Sequence, residues 1–107
     1  MSADAYDRFR RGMELLEARD FHQSVIALEQ AKMLEPGKAS IHEGLARAYL
    51  SLRHYDRAAE EFAAVIELSP TNHYAHYCLA RALRRLGDQT GAARHFKLAR
   101  CMGSDLA

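Results

Sequence analysis

A chain of 107 residues is the length of one domain, and with 15 basic and 14 acidic side chains its net charge of +1 gives no global pull toward nucleic acid or a lipid surface. Cys78 and Cys101 fall on different predicted helices and read as reduced thiols, and the N-terminal stretch MSADAYDRFRRGMELLEARD is charged throughout, so it reads as neither a signal peptide nor an anchor. No apolar run approaches the roughly 18 residues that a bilayer span requires, and a cytoplasmic location is expected.

The first helix is predicted over about Ala3 to Ala18, with Ser2 or Asp4 as its N-cap. Asp20 reads as the cap of a second helix, about Phe21 to Leu34, whose apolar series includes Val25, Leu28 and Ala31. Glu35-Pro36-Gly37 ends it, because proline disfavours helical geometry at the residue before it. The third helix is predicted over about Lys38 to Leu52 and the fourth over about Tyr55 to Leu68. Ser69-Pro70-Thr71-Asn72 breaks the chain again, with Thr71 or Asn72 as the cap of a fifth helix that stops near Leu86, before Gly87. Asp88 caps the sixth, about Gln89 to Met102, where Gly91 is a local weakness in the first turn. No β pattern, long linker or low-complexity segment intervenes.

These elements repeat with a period of 34 residues. Gly12, Ala46 and Ala80 form one series of small residues, and Ser24, Ala58 and Ala92 a second. Large residues recur as Leu15, Tyr49 and Leu83, and as Leu28, Phe62 and Phe96; Ala31, Val65 and Ala99 follow. Pro36 and Pro70 continue to Ser104. Small residues at a fixed interval let two helices cross closely, and the large ones fill the gap beside the crossing.

This order of small, aromatic and proline positions resembles the tetratricopeptide repeat (TPR), in three copies over about 5–38, 39–72 and 73–106 of a single domain. The chain departs from that pattern at Arg8, His42 and His76, which stand where the family commonly has Trp, and at Arg11, which stands for the Leu of its Leu-Gly pair. The resemblance implies an all-α fold, an α-solenoid of three helix-turn-helix hairpins in a right-handed superhelix, with stability built up through nearest-neighbour contacts.

The ends of the array differ from its middle. Where repeat two has Ile41, Leu45 and Ala48 and repeat three has Ala75, Leu79 and Ala82, repeat one has Asp7, Arg11 and Glu14. Such a polar face suits the start of a solenoid, and the array is expected to begin here. At the other end Lys97 and Arg100 correspond to Ala63 and Ile66, which are expected to meet the next repeat. That exchange caps the end only in part. It leaves Phe96, Leu98, Ala99 and Met102 partly uncovered, which reads either as a tolerated frayed end or as a self-association surface, through which the chain would act as a structural module that forms an end-to-end or swapped homodimer.

In the family the first helix of each repeat lines a concave groove. The resemblance places Tyr6, Phe9, Arg10, Met13 and Leu16 there from repeat one, and Ser40, Glu43, Gly44, Arg47 and Leu50 from repeat two. Repeat three contributes Tyr74, Tyr77, Cys78, Arg81, Arg84 and Arg85. Arg47 and Arg81 are repeat equivalents, and Gly44 is expected to leave the floor of the middle repeat open to a ligand backbone. Arginine offers a planar fork for carboxylates and tyrosine a rigid amphipathic contact, so the lining suits an acidic or amphipathic peptide. The plainer alternative is that these arginines only solvate the helices.

Other chemistries find less support. Clamps of this family that grip a C-terminal carboxylate use Lys, Asn and Arg at positions that are Phe9, Met13, Gly44, Tyr74 and Cys78 here, so a grip of that kind is not expected. His73 and His76 can share a helix face, but no third ligand accompanies them; they read as capping and packing residues, and His22, His54 and His95 as isolated ones. There is no Gly-rich phosphate loop, HExxH or nucleophile elbow, and Glu60 and Glu61 read as surface charges. Arg81, Arg84 and Arg85 are not interleaved with aromatics in a recognised RNA-binding pattern. The reading is a non-enzymatic adaptor for a protein or peptide partner, with no metal, no cofactor and no nucleic acid.

Overall fold

The 34-residue period becomes three helical hairpins. The computed structural model describes residues 1–106 and contains α1 (Ala3–Glu17), α2 (Phe21–Leu34), α3 (Ala39–Ser51), α4 (Tyr55–Leu68), α5 (His73–Arg85) and α6 (Gln89–Cys101). Each helix packs on its hairpin partner; α2 then packs on α3, and α4 on α5, so the hairpins stack in chain order. Every boundary lies within a residue of the predicted one, and three of the six helices carry a side-chain N-cap. Of the alternatives at the first and fifth helices, Ser2 accepts a hydrogen bond from Ala5 N at 3.2 Å and Asn72 from Ala75 N at 3.0 Å. Asp88 accepts from Gly91 N at 2.8 Å. A β-carbon at 91 would lie 2.4 Å from that carboxylate, so the glycine makes room for the cap. Asp20 precedes α2 but makes no such bond, contrary to its expected role.

The first helix of every hairpin ends in the same way. Residues 19, 53 and 87 are one period apart and all have left-handed backbones, with φ of 63° at Arg19, 62° at Arg53 and 88° at Gly87. The next amide in each case bonds back across the end of the helix: Asp20 N to Leu15 O, His54 N to Tyr49 O and Asp88 N to Leu83 O. This is the Schellman arrangement, which glycine adopts without the steric cost that Arg19 and Arg53 bear.

One continuous core runs through the stack and joins Leu28 and Ala31 to Ile41, Leu45, Ala46, Tyr49, Phe62 and Val65, and on to Ala75, Cys78 and Leu79. Ala46 and Ala80 are fully buried at the close crossings. Ser24 is fully buried too, and its hydroxyl donates to Gly12 O at 2.7 Å, so no polar atom is left unpaired at the first crossing. Asp7, Arg11 and Glu14 on α1 are exposed, whereas Ile41, Leu45, Ala75 and Leu79 are buried between hairpins.

The positions where the family commonly has Trp carry polar contacts between helices instead. Arg8 donates to Gln30 Oε1 at 2.7 Å, His42 Nδ1 lies 2.6 Å from Glu61 Oε2, and His76 Nδ1 lies 3.0 Å from His95 Nδ1. Two expectations are corrected here. Glu61 is not a surface charge: it is 8% exposed and holds Lys32 Nζ at 2.7 Å as well as His42. Burial disfavours the Lys32 ammonium, but the hydrogen bond and charge of Glu61, with Glu29 behind it, outweigh that and raise its pKa. His95 is not isolated, since it stacks on His76 with ring centroids 5.2 Å apart. His76 Nε2 lies 2.9 Å from Pro70 O; a carbonyl can only accept, so Nε2 carries the proton and, in the neutral ring, Nδ1 accepts from His95.

Candidate functional site

The expected groove residues belong to α1, α3 and α5, and these helices leave no open floor at Gly44. Gly44 is buried: a β-carbon there would lie 2.9 Å from Met13 Sδ and 3.2 Å from Leu28 Cδ1. The space left by the missing side chain is filled by Met13 and Leu28, so no ligand backbone approaches Gly44. Leu16 and Cys78 are also buried and contribute packing rather than lining. Tyr6 is half-exposed, Arg10 is exposed, and Phe9 and Met13 lie against the core. Ser40 is exposed at the start of α3.

The centre of the surface is built around Tyr74 and Cys78, one turn apart on α5. Tyr74 meets Phe62 edge-on, with centroids 6.5 Å apart. Its burial, and next the adjoining Cys78 thiol, push the phenol pKa up to about 12, so it stays a neutral hydrogen-bonding group. Burial likewise pushes the Cys78 thiol up, against the opposing hydrogen bond from Tyr74 and the charges of Arg81 and Arg47. The charges of the repeat equivalents Arg47 and Arg81 thus both reach Cys78, and that of Arg47 reaches Tyr74 as well. Arg47 also lies 4.0 Å from Glu17 Oε1, an exposed pairing of little energetic weight. Glu43 stands close enough to Tyr74 and Cys78 to raise both, which makes the surface less purely basic than expected.

Toward the C-terminal end the arginines lie on aromatic rings. Arg81 is 5.8 Å from the Tyr77 centroid, Arg84 is 5.3 Å from that of Phe96, and Arg85 is 5.8 Å from that of Tyr55. Tyr77 and Phe96 meet edge-on with centroids 5.8 Å apart. Arg84 and Arg85 thus diverge, one toward α6 and the other toward the start of α4. Leu50, Tyr55 and the three arginines line a small depression of about 90 Å³. Sequence reasoning missed Tyr55, since the second helix of a repeat is not expected to face this surface; its place at the first residue of α4, beside the end of α5, was the available signal.

The four residues read as a self-association surface do not share a face. Phe96 lines a larger cleft of about 390 Å³ with Tyr77, Arg84, Ala93, Arg100 and Leu106. Leu98 and Met102 are half-buried and do not line it. Ala99 is fully buried and takes no part in a surface, because it occupies the interior position of Ala31 and Val65 one period on. Ala63 is exposed and does not meet the next hairpin, so the comparison of interfaces holds for Ile66 and Arg100 but not for Ala63 and Lys97.

No group of three or more His, Cys, Asp or Glu side chains is disposed to hold a metal ion among the described residues, and His76 is already engaged by Pro70 and His95. Both cysteines are free, Cys78 buried and Cys101 exposed. Among the described residues no helix is long and apolar enough to cross a membrane.

The chain is similar to the inactive TPR repeat-containing thioredoxin TTL3 of Arabidopsis thaliana, at 28% identity over 86 residues. That match covers 80% of the chain but only 12% of the plant protein, so the chain spans about an eighth of that relative. Among solved structures, the second TPR of Spaghetti (RPAP3) bound to an HSP90 peptide, SRMEEVD, superposes with a TM-score of 0.87 at 18% identity, covering 94% of this chain and 93% of that one. PcrH in complex with the chaperone binding region of PopB gives a TM-score of 0.86 at 21% identity, covering 95% and 83%. At these identities the likeness is one of fold. The family model for the tetratricopeptide repeat matches residues 9–71 and again 43–105, and with its three hairpins at the 34-residue period the chain belongs to the tetratricopeptide repeat family.

Proposed function

We propose that the chain is a non-enzymatic adaptor that binds an acidic or amphipathic peptide segment of a protein partner along the α1–α3–α5 surface. The observation that supports this reading is that Arg47 and Arg81, repeat equivalents from successive repeats, both act on Cys78, one turn from the neutral Tyr74 phenol, while Arg81 lies over the Tyr77 ring. Two guanidinium forks beside a fixed hydrogen-bonding aromatic ring suit carboxylates alternating with apolar side chains. In this reading Tyr6, Phe9 and Arg10 extend the surface along α1 beyond Met13, which meets α3 at Gly44, and Tyr77, Arg84 and Arg85 extend it beyond Arg81. The peptides present in the RPAP3 and PcrH structures lend the reading general support. The grip differs from a carboxylate clamp, because Phe9, Met13, Gly44, Tyr74 and Cys78 supply no cation, and Met13 fills the floor. The free thiols fit a cytoplasmic setting.

The test is a partner captured by affinity pull-down and titrated against the parent and an Arg47→Glu/Arg81→Glu variant. The variant is expected to keep its helicity, since surface changes cost within about 0.5 kcal/mol. Binding is expected to weaken by about 2 kcal/mol or more, because each substitution removes an anchor and adds repulsion, and added salt should weaken the parent. Equal affinity of a folded variant would refute the groove assignment.

A further inference from the structure

The face of one hairpin that receives the next is seen occupied in repeat two and open in repeat three. In repeat two, Leu50, Ala59, Phe62 and Ile66 pack into the core beneath α5, with Tyr74 edge-on to Phe62. One period on, the equivalents are Arg84, Ala93, Phe96 and Arg100, and all four line the 390 Å³ cleft with Tyr77 and Leu106. Its lining on α6 recurs at residues 93, 96 and 100, the spacing at which one helix presents a face to another. The floor is still aromatic, but its rim has exchanged Leu50 and Ile66 for arginines, and Arg84 lies on the Phe96 ring. The charge of the whole hairpin follows: six of the fifteen cationic residues and two of the fourteen acidic ones lie in residues 73–106, a net +4 in a chain of net +1.

We propose that this cleft is a second docking site, separate from the Arg47 and Tyr74 part of the concave surface and adjoining it at Tyr77 and Arg84, and that its occupant is an amphipathic helix of a partner protein. That helix carries an apolar stripe at the spacing of α5 and acidic residues beside it. The shape selects a helix, because the homologous face in repeat two is filled by one. The charge selects an acidic one, since Arg84 keeps guanidinium donors for a carboxylate while it covers Phe96. The same charge argues against symmetric pairing with a second copy of this chain, and the lack of an apolar stripe on α1 against head-to-tail stacking. Symmetric pairing would set two +4 hairpins against each other with Arg84 facing its own copy. Head-to-tail stacking would offer the cleft α1, whose docking positions are Asp7, Arg11 and Glu14 where α3 and α5 have apolar residues.

The proposal does not rest on the concave groove, and its test separates the two. The probe is a lactam-bridged peptide of residues 73–86, kept reduced, with Arg81→Glu, Arg84→Glu and Arg85→Glu; the unsubstituted peptide is the control. The acidic peptide is expected to bind the full chain about tenfold more tightly than the control. Ala93→Glu, at an exposed position of the cleft, should weaken the acidic peptide by about tenfold, whereas Arg47→Glu in the groove should change it by about twofold or less. Arg84→Glu should invert the preference between the two peptides. Equal binding of both peptides, or of neither, overturns the proposal, as does binding lost with Arg47→Glu and kept with Ala93→Glu. A mass that rises with concentration without peptide, and is restored to the monomer by Ala93→Glu, would assign the cleft to a second copy instead. Circular dichroism and melting of each variant confirm that it is folded.

Discussion

Gly12 is the residue at which the closeness of the helix crossing can be measured. A β-carbon at this position would lie 2.5 Å and 2.6 Å from Leu28 Cγ and Cδ2, and 3.3 Å from the Leu28 backbone nitrogen. Leu28 cannot swing aside: it is fully buried, and it also fills the space beside Gly44 from the other direction. Gly12→Ala gains up to about 1 kcal/mol in helix propensity. Against that stands an overpacking cost of about 1–3 kcal/mol, and the backbone contact places this site in the upper part of the range. The net expectation is a loss of about 1–2 kcal/mol, or a fall in Tm of about 5–10 °C for a chain of this size. Leu28→Ala alone should cost about 2–5 kcal/mol. In the Leu28→Ala background, however, the added methyl meets no obstacle, and Gly12→Ala should be neutral or stabilising by up to about 1 kcal/mol. Urea unfolding of the four proteins, followed by far-UV circular dichroism, gives the coupling energy, expected near 2 kcal/mol. A Gly12→Ala protein more stable than the parent, or a double variant that is additive within about 0.5 kcal/mol, would show that the crossing is not tight.

Ala46→Leu and Ala80→Leu, at fully buried crossings, should each lower stability by about 1–3 kcal/mol in the same denaturation assay; two variants that melt like the parent would contradict the 34-residue alignment. Burial, with the nearby His76 and Arg94, lowers the His95 pKa below its ordinary 6.5. The unfolded chain therefore takes up a proton first as pH falls: the stability contribution of His95 is present above pH 6.5 and is lost as pH drops through the lower folded value. The Tm of the parent should fall more steeply with acid than that of His95→Gln, and parallel profiles would refute this. Tyr74, pushed up to about 12, should ionise as a late step in a spectrophotometric titration, and Tyr74→Phe should remove that step. Its folded-state pKa is raised, so its stability contribution is present below pH 10 and is lost as pH rises through the folded value.

The hairpin architecture was legible because it follows from local chemistry repeated at a fixed interval. Ser2, Asn72 and Asp88 cap helices through atoms three residues away, and Gly87 ends one through its own backbone. The recurrence of Gly12, Ala46 and Ala80 every 34 residues specifies which helices cross. The charged Asp7, Arg11 and Glu14 likewise announced an exposed face, since a helix surface reports its own polarity. What the tertiary structure alone decided depends on neighbours from other repeats. Gly44 read as an opening, yet Met13 and Leu28 reach over from the first hairpin to fill it. Glu61 read as solvated, but it meets Lys32 on α2 and His42 on α3, and that pairing permits its burial. Ala99 read as part of an uncovered end, although its side chain faces inward, and Arg84 and Arg85 read as one basic run although their guanidiniums lie on rings from different helices. A period in sequence gives the register of helices with one another. Which long side chain fills a given gap, and which charge finds a partner, is set by rotamers and packing across the stack, which no single helix encodes.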